Sequence, residues 1–485
     1  MSEESIKSKT IKGTFWSAAD AFLGQGITFI VGIVLARLLS PEEYGLIGIC
    51  LVFNTVLNGI VDSGFSNALI RKKEVSDADY NTMFTTNMVI SLILYALLYI
   101  FSPWISDFFA RTELTSLVRA TGLVLIINAL SITQSTILTK RIDFKTKTKA
   151  SLISAAFSGI IGISMAYAGF GVWALVGQML SKQMLYTIML WILNHWWPNL
   201  SFNKESFVYM WGYGWKLLVS GLLDNVWKQL YQVVVGKCYS PATLGQYTRS
   251  SEYASIFSSN LTTIVQRVSF PVLSDIQDDK TRMIEAYRKV IKMTMFVTAV
   301  CMISLAAVSE PLINTLIGPQ WHEAASYLPL ICISMSLYPL HAINLNMLQV
   351  LGRSDIFLYL EILKKIIFLI PICIGIYINI YWMLVASVFT GVIGLYLNSW
   401  YTGKALGYTF WKQIKDIAPF YCIAFIISLS VYFLKLLSFH CSIILMMQML
   451  LGLIVGVLTS EYFKYPEYLE IKSLVLQLFG KYFKK

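Results

Sequence analysis

The residues with the most chemistry in this chain are charged and amide side chains set inside long apolar runs. In the run 43–70, Asn54, Asn58 and Asp62 recur every four residues, which stacks them on one face of a helix. The run before it adds Asp20, Gln25 and Thr28, and the run 171–193 carries Lys182 with no acid close to it on the same helix. In 213–237, Lys216, Asp224 and Lys228 lie along one side, with Asp224 and Lys228 spaced to pair. Arg249, Glu252, Tyr253, Asn260 and Thr263 form a comparable stripe in 242–266. An ionisable group inside an apolar helix is costly and is by default a functional candidate; the ordinary alternative for Asp224 with Lys228, or Arg249 with Glu252, is a neutralised pair inside a bundle. Four aligned polar stripes point further, to helices that line a wet cavity and bind a polar solute there.

Other chemistries lack their residues. The seven cysteines (Cys50, Cys238, Cys301, Cys332, Cys373, Cys422 and Cys441) have no paired spacing and read as packing residues. His195, His322, His341 and His440 form no metal-ligand cluster, and no Gly-rich phosphate loop ending in Lys-Ser or Lys-Thr occurs. The reading is therefore of a protein without catalytic residues, metal or cofactor, whose driving force comes from a gradient or a partner.

The elements that position these residues must be membrane helices. The chain has 485 residues, 56% hydrophobic and 13% charged, with a mean hydropathy of +0.64, too little charge to cover a soluble globule of that size. Apolar segments of about 20 residues recur, each long enough to cross a hydrocarbon core of about 30 Å as a helix. They fall at 13–38, 43–70, 80–101, 115–138, 150–168 and 171–193, then at 213–237, 242–266, 290–309, 324–350, 356–377 and 380–401, and finally at 417–436 and 442–461. The two sets of six are a repeat. Arg37, Ser40-Pro41 and Gly45 return in register as Lys237, Ser240-Pro241 and Gly245. The expected architecture is an all-α integral membrane protein of about 14 transmembrane helices: a six-helix lobe at 1–200, a second at 201–405, two further helices at 406–462 and a tail at 463–485.

Charge orients the spans. With the N-terminus (Lys7, Lys9, Lys12) inside, the inner loops collect Arg71-Lys72-Lys73, Lys140-Arg141, Lys145, Lys147, Lys149, Lys280, Arg282, Arg288 and Lys289, while the outer ends hold Arg111 and Lys237. Both termini are then cytoplasmic, and the net charge of +11 follows from topology without nucleic acid as a partner. Arg37, Arg119 and Lys237 lie near span ends, where long basic side chains snorkel. Glu361 with Lys364 and Lys365 reads as a local pair. In the tail, Ile471, Leu474, Val475, Leu478, Phe479 and Tyr482 oppose Lys472, Gln477, Lys481 and Lys484, the pattern of an amphipathic helix lying on the inner membrane surface.

Several stretches resemble one family. Thr14-Phe15-Trp16-Ser17, Ala36-Arg37-Leu38-Leu39-Ser40-Pro41-Glu42-Glu43-Tyr44-Gly45, Asp62-Ser63-Gly64-Phe65 leading to Ala68-Leu69-Ile70-Arg71, and Gly318-Pro319-Gln320-Trp321 before Ala324-Ala325 are similar to the polysaccharide-exporter branch of the multidrug/oligosaccharidyl-lipid/polysaccharide superfamily, in particular its colanic-acid-exporter type of flippase. Their order along nearly the whole chain carries the likeness more than any single motif. The resemblance implies the multidrug-exporter-like fold of that superfamily and a function: alternating-access transfer of undecaprenyl-pyrophosphate-linked repeat units across the bacterial cytoplasmic (inner) membrane for O-antigen, capsule or exopolysaccharide synthesis. On that reading Lys182, Lys216, Lys228 and Arg249 suit the pyrophosphate, and Asn54, Asn58, Asp62, Glu252 and Tyr253 suit sugar hydroxyls. Asp20, Asp62 or Asp224 could couple H+ or Na+. Membrane lipids and the polysaccharide polymerase machinery are the remaining expected partners. The alternatives are an ion-coupled drug exporter of the same superfamily and, in another class, a membrane-integral polymerase or acyltransferase.

Overall fold

The computed structural model describes Trp16 and residues 20–482. Lys7, Lys9, Lys12, Thr14, Phe15 and Ser17 lie outside the described residues, as do the side chains of Leu474, Val475, Leu478, Phe479, Lys481 and Tyr482, and Lys484. The regular structure described is helical throughout. In chain order the helices are α1 (Gln25–Leu38), α2 (Pro41–Asp62), α3 (Phe65–Arg71), α4 (Asp77–Phe109), α5 (Leu114–Lys140), α6 (Phe144–Tyr167), α7 (Val172–Asn194), α8 (Lys204–Cys238), α9 (Pro241–Asp275) and α10 (Lys280–Ala307). They continue as α11 (Ser309–Leu316), α12 (His322–Ser336), α13 (Tyr338–Val350), α14 (Ser354–Ile367), α15 (Leu369–Tyr377), α16 (Ile380–Leu406), α17 (Phe410–Tyr432), α18 (Cys441–Tyr462) and α19 (Pro466–Tyr482). Nine stretches among the described residues are long and apolar enough to cross a membrane, so this is a multi-pass membrane protein.

The helix starts follow from local chemistry. Ser40 and Glu43 form a capping box on α2, and Pro41 fills a first-turn position that has no N–H to satisfy. Ser76 and Asp79 do the same for α4. Asn203, Asp279 and Asn379 cap α8, α10 and α16 through their side-chain oxygens. Three expected spans are broken rather than straight. The run 43–70 divides at Ser63 (φ 49°) and Gly64 (φ 72°), both left-handed, which sets α3 off from α2. The run 324–350 breaks at Leu337 and the run 356–377 at Phe368.

The chain forms two compact units, Met1–Gly245 and Gln246–Lys485. The expected division falls near residue 200 and the packing divides at 245: α8, expected to open the second set of six, has its Met210 buried with Phe65, Leu69 and Met83 of α3 and α4. Small residues let the helices of the first unit approach closely, as is usual where lipid supplies no hydrophobic drive between helices. Gly159 of α6 faces Val31 of α1, Gly162 faces Gln178 of α7, and Gly177 faces Met165. The repeated motif has its own packing role inside this unit. A Cβ on Gly45 would sit 1.7 Å from the Pro241 carbonyl oxygen, and one on Gly245 would sit 2.0 Å from the Pro41 carbonyl oxygen, so the first turns of α2 and α9 cross backbone to backbone.

The second unit is built around Tyr287, Met295, Phe420 and Ile423, from α10 and α17. A buried polar knot joins four of its helices. The Asn344 Oδ1 accepts from Tyr287 Oη at 2.8 Å and from Thr402 Oγ1 at 2.8 Å, while the Asn344 Nδ2 donates to Gln413 Oε1 at 3.0 Å. Such a fully bonded network fixes one helix register. The Gly318-Pro319-Gln320-Trp321 motif is a turn in this unit: Gly318 adopts φ 102°, Trp321 is fully buried, and Gln246 at the start of α9 holds the turn by donating to the Gln320 carbonyl (2.8 Å) and accepting from Ala324 N–H (2.9 Å). Beyond α18, α19 follows the expected tail and is tied back through Lys289–Glu470 and Lys292–Glu467.

Candidate functional site

Polar residues of α2, α3, α5, α6 and α7 converge on one interior of the first unit. Asp62 ends α2 and caps α3 across the left-handed break, its Oδ1 accepting from Ser66 N–H (3.3 Å) and Ser66 Oγ (2.5 Å). Thr136 of α5 extends this chain, its Oγ1 lying 2.9 Å from Ser66 Oγ. One turn back, Asn58 uses both ends of its amide: Nδ2 donates to the Asn54 carbonyl (2.9 Å), and Oδ1 accepts from Asn128 Nδ2 (2.8 Å). Asn128 in turn accepts from Gln183 of α7 at 3.2 Å. Asn54 is buried, and neither its Nδ2 nor its Oδ1 finds a partner among the described residues, an expensive state for an amide.

These groups border a cavity of about 310 Å³ lined by Asp62, Ser66, Asn128, Ser131, Ser135, Thr136, Thr139, Lys147 and Tyr186, with Ile70 and Ile132. Lys147, one of the loop cations in the charge reading, sits on α6 and points inward, donating to Thr139 Oγ1 at 2.9 Å. The α5 contribution has a sequence signal that the span reading passed over: Ser131, Ser135 and Thr139 recur every four residues.

Lys182 has its acid on another helix. Asp20, in the short π-helical turn before α1, lies within electrostatic reach of Lys182, Lys147 and Tyr186. The Lys182 ammonium is 3.5 Å from Thr28 Oγ1. The Asp20 Oδ1 is buried and takes no hydrogen bond among the described residues. Three elements therefore bring Asp20, Thr28 and Lys182 together without closing a salt bridge.

On α8 the spacing of Asp224 and Lys228 produces the pair it suggests, at 2.6 Å, with the side chains 50% and 62% exposed. Lys216 is exposed on the same helix. An open ion pair midway along a 35-residue helix would be costly against hydrocarbon. In the second unit, Arg249 pairs with Glu252 at 2.6 Å, the arginine 14% and the glutamate 51% exposed. Tyr253, one residue on, is buried, so its ring is part of the packing of that unit while Glu252 is open.

The second unit also carries an apolar groove of about 550 Å³ along α17, lined by Leu337, Ile414, Ile417, Ala418, Tyr421, Cys422, Phe425 and Ile426. The Tyr421 hydroxyl, its polar point, lies 2.9 Å from Ser336 Oγ. The span reading located no groove; its signal is the helix break at Leu337, beside which the opening forms.

Residues 34–326 match the family model described as polysaccharide biosynthesis protein. The teichuronic acid biosynthesis protein TuaB of Bacillus subtilis (strain 168) is 24% identical over 98% of this chain and 99% of its own length. The succinoglycan biosynthesis transport protein ExoT of Rhizobium meliloti (strain 1021) is 22% identical over 74% and 73%. The lipopolysaccharide biosynthesis protein WzxC of Escherichia coli (strain K12) is 22% identical over 76% of each chain. Among solved structures, the lipid II flippase MurJ in an inward closed conformation superposes with a TM-score of 0.71 at 18% identity, covering 94% of this chain and 99% of that one. An inward-facing multidrug resistance MATE family transporter of the MOP superfamily gives 0.61 at 14% identity, covering 80% and 99%. At these identities the two structures establish the fold.

Proposed function

We propose, from the premise that this chain belongs to the polysaccharide biosynthesis protein family, that it is a flippase moving undecaprenyl-pyrophosphate-linked oligosaccharide from the inner to the outer leaflet of a bacterial cytoplasmic membrane, with both termini cytoplasmic. The observation that carries this reading is the open charged face of α8, Lys216 with the Asp224–Lys228 pair, set in a helix whose neighbours in sequence are apolar. Lipid does not tolerate such a face, and a pyrophosphate headgroup requires one.

The parts of the substrate divide among the parts of the protein. Lys182, Lys216, Lys228 and Arg249 supply cations for the pyrophosphate. Lys228 and Arg249 each hold a carboxylate within 2.6 Å, so a diphosphate would exchange one anionic partner for another without leaving a bare cation. Asn54 and Glu252 offer hydrogen bonds to sugar hydroxyls, Asn58 acts through Asn128, and Tyr253 supports the Arg249 helix from within. The α17 groove is apolar along its floor and suits a polyprenyl chain. Among the coupling candidates, Asp20 has a buried oxygen with no hydrogen-bond partner among the described residues, which suits H+ or Na+, whereas Asp62 is committed through Oδ1 to Ser66 and Asp224 to Lys228.

The test is a lipid profile of cells lacking the protein, with leaflet assignment by a membrane-impermeant glycosidase or lectin. Complete undecaprenyl-linked units held at the cytoplasmic face are the expected result. Complete units on the outer face would refute the reading and move the defect to polymerisation, and an unchanged profile would favour drug export.

A further inference from the structure

We infer that the cavity inside the first unit is a subsite for one pyranose ring of the transported glycan; this rests on the flippase reading above and names a part of the substrate that the charged face of α8 cannot select. The cavity's volume of about 310 Å³ stands at the lower bound of small-molecule pockets, which begin near 300 Å³, and equals roughly ten waters' share of liquid. That is far more than one dehydrated cation needs and far less than a whole lipid-linked repeat unit.

Charge selects the ligand class. Asp62 stands on one part of the lining and Lys147 on another. A cation would be repelled by Lys147 and an anion such as pyrophosphate by Asp62, while a neutral ring bearing several hydroxyls can satisfy both. Each hydroxyl donates one bond and accepts others, and the lining offers both functions. Every hydrogen bond to Asp62 among the described residues falls on Oδ1, which leaves Oδ2 to accept. The Lys147 ammonium gives one of its three protons to Thr139, which leaves two to donate. The Tyr186 ring and Ile132 provide the flat and apolar surface that the C–H face of a sugar prefers.

The polar groups are also held in place before any ligand arrives. Asn128 is fixed from one side by Asn58 (2.8 Å) and from the other by Gln183 (3.2 Å), and Ser66 is fixed between Asp62 and Thr136. Such support is what a selective site needs, because a rotamer already locked costs little further entropy on binding. Asp62 at the end of α2, taken with the Ser131–Ser135–Thr139 stripe of α5, thereby acquires a common purpose: one sets an acceptor and the other sets hydroxyls around one ring, while Asn58 holds Asn128 from behind.

The experiment measures binding to the full chain in lipid nanodiscs by native mass spectrometry. The probes are undecaprenyl pyrophosphate alone and undecaprenyl pyrophosphate bearing one glucose, galactose or N-acetylglucosamine. The wild-type protein is expected to bind at least one glycosylated probe more tightly than the bare lipid. Lys147→Met is expected to remove roughly 10- to 100-fold of that preference, the range for a lost hydrogen bond from a charged group, and to leave affinity for the bare lipid unchanged. Ser135→Ala, a smaller change, should reduce the preference by a few-fold and guards against misfolding of the first variant. A wild-type protein that binds bare and glycosylated lipid equally overturns the subsite and leaves the flippase reading standing. A preference that survives in Lys147→Met with bare-lipid affinity intact also overturns it. A wild-type protein that binds none of the four lipids overturns the flippase reading, and the subsite with it.

Discussion

Gly45→Ala is the sharpest test of the helix crossing that the repeated motif builds. The new Cβ would lie 1.7 Å from the Pro241 carbonyl oxygen, and ordinary contact begins at 3.4 Å, so the first turns of α2 and α9 must separate by roughly 1.7 Å. A side chain in the way could rotate aside; a helical carbonyl cannot. Overpacking of a filled interior costs about 1–3 kcal/mol, and backbone against backbone belongs at the upper end. Replacing a helical glycine by alanine returns about 1 kcal/mol of propensity, which leaves a net loss of about 2 kcal/mol. The control is Gly391→Ala on α16, where an added Cβ meets nothing within 4 Å and only the propensity gain remains. The unfolding midpoint of detergent-purified protein should fall for Gly45→Ala and hold or rise for Gly391→Ala. Gly245→Ala, at 2.0 Å from the Pro41 oxygen, should resemble Gly45→Ala. The double variant should cost less than the sum, because one displacement relieves both clashes. Equal midpoints for Gly45→Ala and Gly391→Ala would refute the close crossing.

Lys228→Ala and Arg249→Ala should each abolish export while leaving the protein inserted at wild-type level, as measured by surface polysaccharide and membrane immunoblot; full export in both would remove these cations from the substrate role. Arg37→Ala, an exposed residue near the end of α1, should be mild in the same assay, and complete loss would show that it does more than snorkel. Gln246→Leu should destabilise the second unit by about 1–3 kcal/mol, the cost of stranding a buried backbone donor, since the buried Ala324 N–H loses its bond and the half-buried bond to the Gln320 carbonyl goes with it; an unchanged melting curve would contradict that account. Arg353 holds the Asp355 carboxyl below the usual carboxylate range through a two-point hydrogen bond. A carboxyl with a depressed folded-state pKa stabilises above its unfolded value and loses that contribution as pH falls through the depressed one, so Asp355→Asn should lower the midpoint slightly at neutral pH and not in strong acid.

Much of the fold was legible because apolar length is a coarse, one-dimensional signal. The Ser-Pro stops at 40–41 and 240–241 are helix starts, with the capping box of Ser40 and Glu43 as the physical reason, and the spacing of Asp224 with Lys228 and of Arg249 with Glu252 yields the ion pairs it suggests. What the sequence concealed depends on which helices meet. Asp20 and Lys182 are 162 positions apart in number and share no local pattern, yet the turn that holds Asp20 and the helix α7 that holds Lys182 both pack on α6, which sets the two within electrostatic reach. Lys147 counts as a loop cation from its neighbours Lys145 and Lys149, and only the turn of α6 sends it inward while they remain outside. The break at Leu337 did have a signal that the span reading passed over, Pro339 in the first turn of α13, and Pro371 stands in the first turn of α15 just past the break at Phe368.

The distribution of apolarity among the helices carries a further step. Of the described helices long enough to cross a bilayer, α7, α8 and α9 fall short of the apolarity that the other nine stretches reach. Those three hold Lys182, then Lys216 and Lys228, then Arg249, and these cations are themselves part of what lowers the apolarity of the helices that carry them. A charge on such a helix avoids the cost of hydrocarbon only where it faces water or a partner, as Lys364 does with Glu361 on α14. Moving the charge is therefore expected to be worse than losing it. Lys216→Leu with a lysine introduced at Ile393, an exposed position on the apolar helix α16, keeps net charge and composition nearly constant, yet it should fail to insert or to export. Lys216→Leu alone should insert normally and lose export only in part.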